Sequence, residues 1–221
     1  ATMRMIFMAA ALAGVTGPAA NAQAPALVGD YQLAEGPDVG GGLRIAADGS
    51  FEYGLVAGAL DEFSSGRWAA EGDRICLTTD PRPVAPRFEK TEPKEVEGAT
   101  PTILVTWPNG RGIAGIDFVI GFDSGDPIEG YTQSDGWTLP DDEKRVPRGI
   151  EVSEPVHDII APRFELADAD RGRLHVRLVP NDLGRADLSG ACLEAREGAV
   201  AILHRREGKM RFVRMEKPDP E

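Results

Sequence analysis

Leu43-Arg44-Ile45-Ala46-Ala47-Asp48-Gly49-Ser50-Phe51-Glu52-Tyr53-Gly54-Leu55 is the stretch that decides the fold class. Leu43 and Ile45 alternate with Arg44 and Ala46, and Phe51, Tyr53 and Leu55 alternate with Glu52 and Gly54, which is the two-residue period of half-buried strands. Between them Asp48-Gly49 supplies the left-handed backbone that a tight hairpin turn needs. The same grammar extends on both sides. Asp30-Tyr31-Gln32-Leu33 precedes the hairpin, and residues 65–69, a turn at Glu71-Gly72-Asp73 and residues 75–79 follow it, so residues 27–79 are an antiparallel meander.

From residue 80 to 101 the pattern breaks. Pro81, Pro83, Pro86, Pro93 and Pro101 cannot donate to a ladder, and the charged residues 89–97 lack a period. The segment is a Pro-rich linker or a surface crossover, with one strand-like stretch at 87–89. Strand patterns resume at 103–107, at Ile116, Phe118, Ile120 and Phe122 on one face, at 128–132, at 149–153 and at 174–179. Three more strands, 192–196, 200–206 and 210–215, are joined by turns holding Glu197-Gly198 and Glu207-Gly208. With 26 Gly and 17 Pro in 221 residues the chain is punctuated too often for long helices. The fold class is all-β: antiparallel meanders making one or two small β-sandwich or barrel units, with 27–79 as one unit and 102–217 as a C-terminal sandwich.

Residues 1–22 carry a different signal. One positive charge at Arg4, an apolar run from Met5 to Val15, a breaker at Gly17-Pro18 and the small residues Ala20-Asn21-Ala22 have the layout of a cleavable bacterial signal peptide. The run is about half the ~20 residues that span a bilayer. The expected destination is the periplasm or the exterior, with no stable membrane anchor, since no cysteine near the cut offers a lipid attachment.

The whole chain has 24 basic and 36 acidic residues and a formal charge of −12. Phosphate-backbone binding needs clustered Lys and Arg, so nucleic acid and anionic membrane surfaces are opposed as partners. The exception is the C-terminal run of His204, Arg205, Arg206, Lys209, Arg211 and Arg214, which is expected to pair with acids of the same chain. Two cysteines, Cys76 and Cys192, stand in separate strand-like segments. An oxidising compartment either joins such a pair or leaves two separately buried thiols.

Catalytic signals are sparse. The three histidines, His157, His175 and His204, have no metal-ligand spacing, and no motif calls for a metal or a cofactor. His175 alternates with Leu174, Val176 and Leu178, which makes it an exposed strand histidine beside Arg173 and Arg177. No Gly-x-Ser-x-Gly elbow or Ser-x-x-Lys is present. His157-Asp158, in a Pro-flanked loop, is the one imidazole–carboxylate dyad. Tyr131 and Trp137, with Gln133, Ser134 and Asp135 between them, place aromatic rings beside amide, hydroxyl and carboxylate groups, the mixture that a polar or sugar ligand uses. Tyr131, Gln133, Asp135 and Trp137 are therefore the candidate ligand-binding residues.

Residues 102–153 carry a family likeness. Val105, Asn109-Gly110-Arg111-Gly112-Ile113-Ala114-Gly115-Ile116, Phe118, Ile120, Asp123-Ser124-Gly125 and Thr132-Gln133-Ser134-Asp135-Gly136-Trp137 resemble the carboxypeptidase-regulatory or transthyretin-like β-sandwich pattern. The segment departs from that pattern at Trp137 and in the polar excursion after Pro140. Gly29-Asp30-Tyr31 is similar to the opening Gly-x-Trp of lipocalin-like barrels, with the Trp replaced. The first resemblance implies a structural, interaction or binding module without catalysis, and transfers no functional residue. The leading expectation is an exported non-catalytic binding module for a small molecule, sugar or protein of the cell envelope. The alternatives are a hydrolase of envelope or sugar substrates using His157, and a lipocalin-like carrier of an apolar ligand.

Overall fold

A computed structural model describes residues 24–34 and 36–216. Residues 1–22, expected to be a signal peptide, lie outside them. The described chain is all-β apart from two single turns of 3-10 helix at Ala24–Leu27 and Asp168–Asp170. The first five strands are β1 (Gly29–Leu33), β2 (Val39–Ile45), β3 (Ser50–Ala57), β4 (Leu60–Glu71) and β5 (Arg74–Thr79). Then come β6 (Arg87–Thr91), β7 (Ile103–Thr106), β8 (Asp117–Phe122), β9 (Ile128–Tyr131), β10 (Pro147–Glu154), β11 (Ile159–Ile160), β12 (Phe164–Glu165) and β13 (Leu174–Val179). The last three are β14 (Cys192–Ala195), β15 (Val200–Arg205) and β16 (Gly208–Arg214).

The hairpin that anchors the reading forms as its alternation requires. Leu43 faces Tyr53 and Ile45 faces Phe51 across β2 and β3, and all four side chains are buried. At the turn Gly49 has φ +86°. The Asp48 carboxylate accepts hydrogen bonds from the Ser50 amide at 2.9 Å and the Ser50 hydroxyl at 2.6 Å.

The meander β1–β5 does not stand alone. It closes into an eight-stranded barrel with β14–β16, in the order β1-β16-β15-β14-β5-β4-β3-β2. The expected C-terminal unit 102–217 is thus divided: β14–β16 leave the second unit and complete the first. The reason is that β1 and β5 would otherwise be open edges, and closure is the arrangement that removes edges altogether. Phe51, Leu43, Ile45, Ile75, Leu77, Leu193, Leu203 and Phe212 fill the interior. An eight-stranded barrel is just wide enough for such a filling. Leu27 of the first 3-10 turn joins this core, and its carbonyl accepts from the Tyr31 hydroxyl at 2.8 Å.

Cys76 and Cys192 face each other across β5 and β14 and form a disulfide. Hydrogen bonds flank the pair, from the Leu77 amide to the Ala191 carbonyl at 2.8 Å and from the Gly190 amide to the Leu77 carbonyl at 2.9 Å. This is the non-hydrogen-bonded type of cross-strand position, where Cα atoms come closest.

Between β5 and β14 the chain builds a sandwich with a core of its own. Antiparallel β9, β8 and β10 form one sheet, with β11 and β12 both on the far side of β10. The other sheet is β6-β13-β7, where β13 runs parallel to β7. Phe118, Ile120, Ile150 and Val152 from the first sheet pack with Ile103, Val105, Leu174, Val176 and Leu178 from the second. The strand-like stretch in the Pro-rich segment is β6. Residues beyond it cover the face of β13 that carries His175, which is buried rather than exposed. His175 Nδ1 accepts from the Lys94 amide at 2.8 Å and its Nε2 donates to the Pro101 carbonyl at 2.9 Å. Burial holds this imidazole below its usual pKa.

Candidate functional site

The outer face of the β9-β8-β10 sheet is where chemistry collects. Alternation on β8 sends Phe118 and Ile120 into the core and leaves Asp117, Val119 and Gly121 outside. On β9 a Cβ at Gly130 would meet the Phe118 ring at 2.8 Å, so Gly130 faces inward and its neighbours Glu129 and Tyr131 face outward. Strand register then arranges the outer side chains in three rows. The first runs Ile160, Ser153, Asp117, Tyr131. The second runs Glu151, Val119, Glu129. The third is Glu165, Gly149, Gly121.

The first two rows line an open groove of about 510 Å³. Its floor is the short side chains of Ser153, Asp117 and Val119. Tyr131, 61% exposed, and Ile160, 73% exposed, rise at opposite ends of the first row. Beside the groove, Arg163 lies across the two glycines of the third row: a Cβ at Gly121 would be 2.7 Å from its Nη2, and one at Gly149 would run into the same guanidinium. Arg163 donates to Glu151 at 3.3 Å and to Glu165 at 2.9 Å. These bonds raise its pKa and keep it charged. Among the described residues, neither Asp117 nor Glu129 makes an ion pair, so both carboxylates remain available to a ligand.

The four residues expected to bind are placed differently. Tyr131 stands in the groove. Gln133 and Asp135 lie exposed on the hairpin turn that follows it, closed by paired bonds between Gln133 and Gly136. Trp137 pairs with Ile103 through the backbone and packs its ring 4.9 Å from Phe118, against the sandwich core. Asp117, Glu129, Ser153, Ile160 and Arg163 were not among the expected residues. The outward positions of β8 and β9 are signalled by alternation, whereas Arg163 comes to the border of the groove only through the pairing of β12 with β10.

His157 sits elsewhere, at the junction of sandwich and barrel. Its Nδ1 lies 3.0 Å from Glu154 Oε2 rather than against Asp158, and its Nε2 has no hydrogen-bond partner among the described residues. His157 and Asp158 line a pocket of about 240 Å³ with Glu62, Asp182 and Arg185, and none of its lining side chains is a hydroxyl or thiol. Part of the basic C-terminal run pairs with acids of the same chain: His204 meets Glu194 at 3.0 Å and Arg205 meets Glu62 at 2.9 Å, Arg214 donates to the Tyr31 hydroxyl at 2.8 Å, and among the described residues Arg206, Lys209 and Arg211 make no ion pair. Among the described residues, the one grouping of His, Cys, Asp or Glu atoms close enough for a metal is Glu71 with Cys76 and Cys192, and both sulfurs are committed to the disulfide. Comparison with protein-family models, curated proteins and solved structures gives no match.

Proposed function

We propose that the protein is an exported, non-catalytic binding module whose ligand seats in the groove on the outer face of the β9-β8-β10 sheet. The observation that carries this reading is the juxtaposition of the exposed Tyr131 ring with the ion-pair-free carboxylates of Asp117 and Glu129 on a rigid sheet. Large exposed aromatics beside directional polar groups are what ligand sites use for contact area and orientation. Export is supported by the signal-like residues 1–22 and by the Cys76–Cys192 disulfide, a bond that persists in oxidising compartments. No helix among the described residues is long and apolar enough to cross a membrane. A carrier role inside the barrel would require displacing Phe51, Phe212 and their neighbours, so the ligand is placed outside it.

The test is a ligand screen by calorimetry on the mature protein, repeated with Tyr131→Ala and Asp117→Ala. Both variants should melt with the parent and lose the affinity found. Unchanged binding in both would remove the groove from consideration.

A second reading, hydrolysis at the barrel–sandwich junction, rests on the Glu154–His157 contact. There the carboxylate would hold Nδ1–H and leave Nε2 to take a proton from water. An envelope-polymer hydrolysis assay in which His157→Ala keeps full activity would exclude it.

A further inference from the structure

We infer that the ligand of this groove is a neutral or amino-bearing saccharide chain, an inference that rests on the groove being the binding site. A hydroxyl both donates and accepts, and its partner surface must therefore offer both kinds of group. This one does: Asp117, Glu129 and Glu151 accept, Ser153 does either, and at the border of the groove Arg163 keeps Nη2 outside its bonds to Glu151 and Glu165. Planar guanidinium and carboxylate groups each meet two neighbouring hydroxyls at once, the geometry of vicinal sugar oxygens.

Charge narrows the class. Asp117, Glu129 and Glu151 outnumber Arg163, which repels uronate or phosphate-bearing chains and tolerates neutral or amino sugars. A basic peptide would use the carboxylates and the Tyr131 face but would meet Arg163 as a like charge. Arg163 is oriented along the sheet: Gly121 and Gly149 let it lie on the backbone, and Glu151 and Glu165 pair with it from two sides. A donor held this way loses little freedom on binding. Shape points the same way. The groove crosses the face of a sheet instead of entering an enclosed cavity, so a chain can extend past the site.

Calorimetry of the mature protein against α- and β-linked glucan hexamers, a glucosamine hexamer, a galacturonate hexamer and oligo-lysine tests the class. A neutral or amino hexamer should bind. Tyr131→Ala should weaken that binding by roughly five-fold or more, and Gly149→Ala, which evicts Arg163 without touching its charge, should weaken it as well. Arg163→Lys, which keeps the charge but not the planar fork, should fail to restore the parent affinity. Parallel thermal melts separate these losses from unfolding. Binding of oligo-lysine alone, lost in Tyr131→Ala, overturns the saccharide class and leaves the groove standing. Preference for galacturonate, or no binding by any saccharide at millimolar concentration, also overturns the class. Saccharide binding that survives Tyr131→Ala and Gly149→Ala together overturns the groove itself.

Discussion

Reduction of the Cys76–Cys192 bond should lower the melting temperature by roughly 10 °C without opening the native barrel. The bridge closes a loop of 116 residues, and the chain-entropy model assigns a loop of that length about 4.8 kcal/mol at 25 °C, all of it through the unfolded state. Unfolding entropy of about 2.1 cal/mol/K per residue, over ~190 ordered residues, is close to 0.4 kcal/mol/K, which converts that loss to ~12 °C. The native seam itself is short, since β5 and β14 share only the register Arg74–Cys76 against Cys192–Glu194. It nevertheless keeps the flanking Leu77–Ala191 and Gly190–Leu77 hydrogen bonds when the sulfurs part. The assay is a circular-dichroism melt with and without a phosphine reductant, beside a Cys76→Ala/Cys192→Ala double variant. Alkylation without reductant should add no mass to the parent. A fall of less than ~3 °C in both arms would show that the unfolded chain already holds the two segments together, and would refute the loop-entropy account.

Three further outcomes follow from named contacts. Phe212→Ala or Phe51→Ala, each at 1% exposure or less in the barrel core, should destabilise by about 3–5 kcal/mol in a urea titration. His175 is held neutral when folded, with its pKa below the ordinary imidazole value of about 6.5, so the unfolded state binds more protons as pH drops. Its contribution is intact above that value and is lost as pH falls below it. His175→Gln should flatten this slope, and an unchanged slope would assign it to other groups. Tyr131→Ala, by contrast, should leave the melting temperature within about 1 °C, because its ring is mostly in water.

Alternation fixes which face a residue takes and says nothing of its partner strand. That is why the hairpin at 43–55 and the three terminal strands were legible as elements, whereas their union in one barrel was not. The turns at Asp48-Gly49, Glu197-Gly198 and Glu207-Gly208 are local chemistry; the pairing of β5 with β14 spans the whole inserted sandwich. His175 shows a second limit. The alternation of Leu174, Val176 and Leu178 predicts a strand buried on one side, but β13 is the middle strand of its sheet and residues 92–101 cover the other side. A central strand buried on both faces does not announce itself when a polar residue finds two backbone partners. At the groove, Tyr131 was visible as an aromatic in a turn-rich stretch. Trp137 looked equivalent to it in sequence, yet its backbone pairing with Ile103 turns it to Phe118. Arg163 and its two glycines, at 121 and 149, are brought together only by register.

Closure of the barrel by β14–β16 also makes its edges depend on the last strands of the chain. Without β14–β16, a sheet of β1–β5 would have outer strands that lack neighbours, and those neighbours follow the whole sandwich along the chain. Unpaired strand edges are templates for wrong partners. The intervening sandwich has its own core and can fold in that interval, carrying residues 180–191 back to β4, where Phe63 bonds Gly184 and Ala186. That attachment brings Cys192 to the side of the barrel where Cys76 waits. A chain interrupted before residue 192 would therefore carry a finished sandwich on an unfinished barrel, and the strands synthesised last are the ones that end its exposure.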